Sequence, residues 1–193
     1  MFWLTLNTKL AGQRVLVTAA SRGIGFGAAK AFLEEGARLV INSSNPKNLG
    51  EAADRLKGLG EVHAVAADIT SREGIERLVD EALAHLGGID VFVYVTGSPR
   101  PGPFLEQSFE EWAKASSLLV VSPAYLAKRV AEHMIAEKIR GRMVFLSSIA
   151  IREPILTLAL SGVCRIANAA LVRTLARELE PIADLCPPPL PAQ

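Results

Sequence analysis

The sequence predicts an α/β fold built on a doubly wound parallel sheet, and three observations carry that prediction. Short apolar runs of strand length alternate with segments whose apolar residues recur every three or four positions. One run, residues 89–95, is apolar almost throughout, as strands buried on both faces are. The first run leads directly into a glycine-bearing turn and a helix, Val15-Leu16-Val17-Thr18-Ala19-Ala20-Ser21-Arg22-Gly23-Ile24-Gly25.

Residues 14–18 read as the first strand, and Ala28, Ala29, Phe32 and Leu33 mark a helix running from Gly23 to Gly36. Residues 37–41 form a second strand. A helix over 46–59 follows, opened by Pro46 and apolar at Leu49, Ala52, Ala53 and Leu56. Residues 61–67 alternate as a third strand stopped by Asp68, and a helix from Ser71 carries Ile75, Leu78, Val79, Ala82 and Leu86 before Gly87-Gly88 ends it. After the strand at 89–95 comes a loop rich in Gly and Pro (97–103), then Ser108 and Glu111 as a capping box. The helix they open reaches about Lys138, and Pro123 inside it predicts a kink or break near Val121. Residues 141–147 are the fifth strand. A second long helix spans 155–180 and stops at Pro181. The expected organisation is therefore one domain over 1–181 and a proline-rich tail, 182–193, without a strand.

Bulk composition narrows the function. The 193 residues carry 21 basic and 20 acidic side chains, a formal charge of +1, with no basic block, so neither nucleic acid nor an anionic membrane surface is indicated. Cys164 and Cys186 are too few and too distant for a disulfide framework, and the three histidines lie on separate segments, so no metal site is expected. No run approaches the roughly 18 apolar residues of a membrane span. A cytoplasmic chain with a small-molecule ligand is the expectation.

The glycine turn supplies the chemistry. Small residues let a ligand approach the backbone, and the unpaired N–H groups of the helix that Gly23, Gly25 and Gly27 open can hold a phosphate. The turn lacks a Lys-Ser or Lys-Thr ending, which disfavours a P-loop and leaves a dinucleotide as the guest.

On these residues the chain resembles the short-chain dehydrogenase/reductase family. Thr18-Ala19-Ala20-Ser21-Arg22-Gly23-Ile24-Gly25 is similar to the family's TGxxxGxG turn with Ala19 at the first glycine; Asp68 with Ile69 matches the aspartate after the third strand, and Tyr94-Val95-Thr96-Gly97 loosely matches NNAG. The resemblance runs from about residue 8 to Pro181. It implies a Rossmann-type doubly wound sheet of about five strands, lacking the last two strands of the family, and a nicotinamide cofactor held by Thr18, Ser21, Arg22, Gly23, Ile24, Gly25, Ser43, Ser44, Asp68, Ile69, Gly97 and Arg165. It also implies a homodimer or homotetramer paired through the two long helices.

Cofactor choice is read at the end of the second strand. NAD sites place an acidic residue there for the ribose hydroxyls. Here stand Asn42-Ser43-Ser44-Asn45, neutral donors with Arg22 as counter-charge, which favours NADP over NAD. Arg22 also reads as a solvated turn residue and the serines as caps for the helix at Pro46, and both readings can hold.

The catalytic positions carried over by the resemblance are Ser148, Ser161 and Arg165. Ser148 falls on the family's serine, but YxxxK reads Ser161-Gly162-Val163-Cys164-Arg165, and Leu119 falls on the family's asparagine. A serine hydroxyl titrates far above the range where a general acid works well, and an arginine cannot join a proton relay. Tyr94 and Tyr125 are the only phenols. The function expected is an NADP(H)-dependent oxidoreductase acting on a carbonyl or hydroxyl group. The alternatives are a non-catalytic dinucleotide-binding module and a truncated, inactive product, the change in composition at Pro181 reading as a truncation or a shifted frame.

Overall fold

A computed structural model describes residues 8–179 and the backbone of residues 184–185. All strands lie in one parallel sheet, β1 (Arg14–Val17), β2 (Arg38–Ser43), β3 (Val62–Ala66), β4 (Val91–Tyr94), β5 (Arg142–Phe145) and β6 (Asp184–Leu185), ordered β3-β2-β1-β4-β5-β6. The helices are α1 (Gly23–Glu34), α2 (Pro46–Leu56), α3 (Arg72–Leu86), α4 (Phe109–Ser116), α5 (Ser122–Ala136) and α6 (Ala159–Glu178). The chain moves outward from β1 to β3, then returns to the other side of β1 with β4. Where the order reverses, the connections after β1 and β4 part in opposite directions and leave a crevice at the carboxyl ends of the strands.

Strand alternation explains the two cores. Leu16, Val40, Phe92 and Met143 face one side, against Leu78 and Val79 of α3 and Leu126 and Val130 of α5. Their neighbours Val15, Val17, Leu39, Ile41, Val91 and Val93 face the other, against Ala29 and Leu33 of α1 and Leu49 and Leu56 of α2. The sheet is thus apolar on both faces, which is why its central strands read as continuous apolar runs. At their entry, β1 and β4 are pinned by Arg14, whose guanidinium donates to both oxygens of Asp90 at 2.6 and 2.8 Å while its backbone N–H adds a bond of 2.9 Å. Burial opposes charge on Asp90, but these Arg14 bonds outweigh it and hold the carboxyl below its ordinary value.

The caps at Ser71 and Ser108 fall where the sequence places them, whereas the helix at Pro46 is capped by Asn45 and not by the serines before it, because Asn45 is the residue directly preceding Pro46. Asn45 and Ser71 accept from the N–H groups of Asn48 and Gly74, and Ser108 with Glu111 closes a full capping box. The long helix over 108–138 is broken, as Pro123 predicts, into α4 and α5 joined by a π turn over Ser117–Val121.

Two expectations need correction. The last helix begins at Ala159, not 155, because the Gly102 N–H donates to Thr157 O at 2.7 Å and Gly102 bridges Leu158, drawing this stretch against the preceding loop. The segment expected to hold no strand supplies β6, whose register with β5 is Arg142↔Asp184 and Met143↔Leu185. Proline excludes a ladder only where its own N–H is missing, and Asp184 and Leu185 keep theirs. The sheet therefore has six strands rather than five and continues past residue 181; the rest of 182–193 lies outside the described residues. No described helix is long and apolar enough to cross a membrane.

Candidate functional site

The site begins where β1 ends. Thr18 is fully buried, and its hydroxyl donates to Val95 O at 2.6 Å while accepting from Val95 N–H at 2.9 Å. This fastens the ends of β1 and β4 together. Ala19 then turns the chain through the left-handed region at φ +47°, a conformation costing an alanine about 1 kcal/mol, and Gly23 does the same at φ +58° without that cost. Gly25 is fixed by contact rather than by φ, since a Cβ there would lie 2.4 Å from Ala19 O. The turn thus presses directly on the first turn of α1, which has no side-chain cap and no acidic residue. Its N–H groups remain available to an anion.

Beside this turn lies a cleft of about 570 Å³ at the carboxyl ends of the strands. Ser21, Arg22, Gly23, Ile24 and Gly25 form one side, Ser43 and Ser44 the end of β2, and Asp68, Ile69 and Gly97 the remainder. The structure brings together ten of the residues expected at a cofactor. The Ser21 and Ser43 hydroxyls are 3.1 Å apart, and Ser43 Oγ also accepts from Asn45 N–H at 3.3 Å. Asp68 Oδ1 accepts from the Thr70 N–H at 2.9 Å and its hydroxyl at 2.8 Å. Arg22 is exposed and makes no ion pair among the described residues. Thr18, expected at the cofactor, lies beneath the wall instead, its hydroxyl spent on the β1–β4 link.

Further residues line the cleft beyond those expected to hold the cofactor. Asn42 is buried and donates to Val65 O and Ala67 O, both at 3.0 Å, which holds the end of β2 to the end of β3; a buried amide closing an apolar strand was its signal. Thr96, in the segment read against NNAG, also lines the cleft, as do Thr70, Leu118 and Leu146, and nothing in the local sequence marks these last three except the break that Pro123 imposes near Leu118.

The positions expected to be catalytic are built differently. Ser148, half-buried after β5, caps a short 3-10 turn by accepting from Ala150 N–H at 3.2 Å, leaving its own O–H to donate. Ser161 and Arg165 sit on the inner side of α6 at 7% and 6% exposure. Arg165 donates to Ser161 Oγ at 3.1 Å and to the carbonyls of Leu146 and Gly97, each at 3.3 Å. Arg165, expected at the cofactor, braces α6 against the ends of β4 and β5 behind the cleft residues Leu146 and Gly97. Burial pulls its pKa down, against the nearby Tyr94 phenol, yet an arginine stays protonated. Leu119, which the resemblance sets against the family's asparagine, is fully buried in apolar packing with Leu160 and Cys164. Neither phenol faces the cleft: Tyr94 is fully buried, and Tyr125 donates to Glu76 Oε1 at 2.8 Å.

The family model for short chain dehydrogenase matches residues 13–188. The chain belongs to the short-chain dehydrogenase family. Among curated relatives, human "Dehydrogenase/reductase SDR family member 2, mitochondrial" is 37% identical over 174 residues, covering 89% of this chain and 61% of that protein. The chain thus spans about three fifths of that relative's length. Among solved family members, a 7α-hydroxysteroid dehydrogenase complexed with NADH and 7-oxo glycochenodeoxycholic acid superposes with a TM-score of 0.86 at 28% identity, over 91% of this chain and 69% of that one. An L-sorbose reductase from Gluconobacter frateurii, complexed with NADPH and L-sorbose, gives 0.84 at 29% identity, over 89% and 65%. These neighbours share the fold.

Proposed function

We propose that the chain is an NADP(H)-dependent oxidoreductase that exchanges hydride with a carbonyl or hydroxyl group of a small molecule. The observation that carries this is the polarity of the cleft: an uncapped α1 N-terminus, a β2 end bearing Ser43 and Ser44 without a carboxylate, and an exposed Arg22 beside them. Such a wall suits the extra phosphate of NADP, which an acidic residue at that place would repel. The nicotinamide supplies the hydride chemistry when bound. Ser148, with its O–H free to donate, is suited to hold a substrate oxygen. The two solved family members hold a carbonyl compound together with NADH or NADPH, which supports the substrate class.

A second reading, a non-catalytic dinucleotide-binding module, is favoured by one observation: Ser161 and Arg165 are buried in mutual contact and no phenol reaches the cleft. Thermal melting with and without NADPH, followed by NADPH oxidation over a panel of carbonyl compounds, separates the readings. A raised melting temperature with turnover supports the oxidoreductase. A raised temperature without turnover supports the binding module, and no shift at saturating NADPH overturns both.

We further propose a homodimer or homotetramer paired through α4, α5 and α6. Phe109, Val163 and Ile166 on α4 and α6, and Val121 in the turn that joins α4 to α5, are each more than half exposed, which supports the pairing. Sedimentation showing a monomer at micromolar concentration overturns it. We place the chain in the cytoplasm, a reading supported by its two cysteines.

A further inference from the structure

The break between α4 and α5 leaves one carbonyl without a helical partner, and its geometry explains why Tyr94 is a tyrosine. The Ser122 N–H donates to Ser117 O, five residues back. In an α-helix that N–H would serve Leu118 O. The next N–H along, five residues after Leu118, is absent because residue 123 is proline. Leu118 O has therefore lost both its α-type and its π-type donor, and this half-buried carbonyl needs a partner from outside the helix. The Tyr94 phenol, fully buried at the end of β4, donates to it at 2.5 Å. On the other side, the Ser117 hydroxyl donates to Thr70 O at 3.0 Å, in the loop after β3. Leu118 and Thr70 both line the cleft.

We infer that Tyr94 and Ser117 are positioning residues that clamp the π turn between β4 and the loop after β3, and so set the wall of the cofactor cleft at Leu118 and Thr70. This rests on the cleft being the nucleotide site. It also gives Tyr94 a role that excludes proton donation to a substrate. The phenol is wholly inside, and its one proton is committed to Leu118 O. Burial raises its pKa, opposed by the neighbouring Ser122 and Thr96 hydroxyls and by Arg165.

The test is NADPH affinity by calorimetry, well below the melting temperature, for the full chain and for Tyr94→Phe, Ser117→Ala and Val130→Ala. Tyr94→Phe keeps the ring and removes only the donor. It is expected to raise the Kd about tenfold, and Ser117→Ala about threefold, as the loss of one hydrogen bond each implies. Val130→Ala opens the core beside α5, away from the cleft, and is expected to lower the melting temperature with the Kd unchanged, which separates positioning from general stability. Wild-type binding with Tyr94→Phe and Ser117→Ala both within twofold of it overturns the clamp alone. If Tyr94→Phe does not fold, an unchanged Kd in Ser117→Ala overturns it. A wild-type chain that does not bind NADPH overturns the cofactor reading and the clamp with it.

Discussion

The half of the sheet holding β1, β2 and β3 and the half holding β5 and α6 use their polar side chains in opposite ways. Around the glycine turn, the α1 N-terminus has no side-chain cap, Arg22 makes no ion pair among the described residues, and Ser43 and Ser44 face an open cleft. Around α6, Arg165 and Ser161 face inward, and the guanidinium spends its bonds on Ser161 Oγ, Leu146 O and Gly97 O. One half keeps donors for a ligand; the other uses them to hold itself together. The cleft is built from backbone and turn geometry, whereas Ser161 and Arg165 are single side chains whose hydrogen bonds hold α6 in place.

The comparison can be broken most severely at Gly25. Gly25→Val places a side chain against Ala19 O and is expected to cost about 3 kcal/mol or more and to abolish the NADPH-induced rise in melting temperature. Thr18→Val removes both bonds to Val95, leaving a buried N–H and C=O unpaired, for a loss of about 2–4 kcal/mol by urea denaturation. Ser44→Asp sharpens the contrast without disturbing the fold. A carboxylate at the end of β2 is expected to lower the NADPH-to-NADH affinity ratio by about tenfold, measured as the ratio of Kd values.

The smallest effect lies at the opposite end of the same strands. Hydrogen bonds from Arg38, then His63, hold Glu61 down at about 2, from an ordinary 4.5. Because the folded value is depressed, the pair's contribution is complete above pH 4.5 and is lost as pH falls toward 2. Glu61 is largely exposed, so the amount is under about 1 kcal/mol. Glu61→Gln is expected to remove that acid-side slope in stability while leaving NADPH affinity unchanged.

Most of the fold was legible because it is written in short-range patterns. The alternation of Leu16 and Val17 between faces, the caps at Ser71 and Ser108, and the break announced by Pro123 all arise within a few residues of one another. What escaped depends on distant partners. β6 exists because Arg142 and Met143 offer a ladder to Asp184 and Leu185, and α6 starts late because Gly102 captures Thr157. The cleft residues of the glycine turn were readable as a motif. Thr18 and Arg165 were readable only as matches to a pattern, and the partners that turn them inward, Val95, Leu146 and Gly97, come from other strands. Tyr94 was legible as a phenol at a strand end, in the segment read against NNAG; the carbonyl it meets is set by a proline 29 positions later.

The central claim is that the cleft beside the glycine turn holds a dinucleotide and prefers the phosphorylated one. Titration of the wild-type chain with NADPH and with NADH by isothermal calorimetry tests it directly. Saturable one-site binding with a lower Kd for NADPH is predicted. Absence of binding by either nucleotide at millimolar concentration, or tighter binding of NADH, contradicts it.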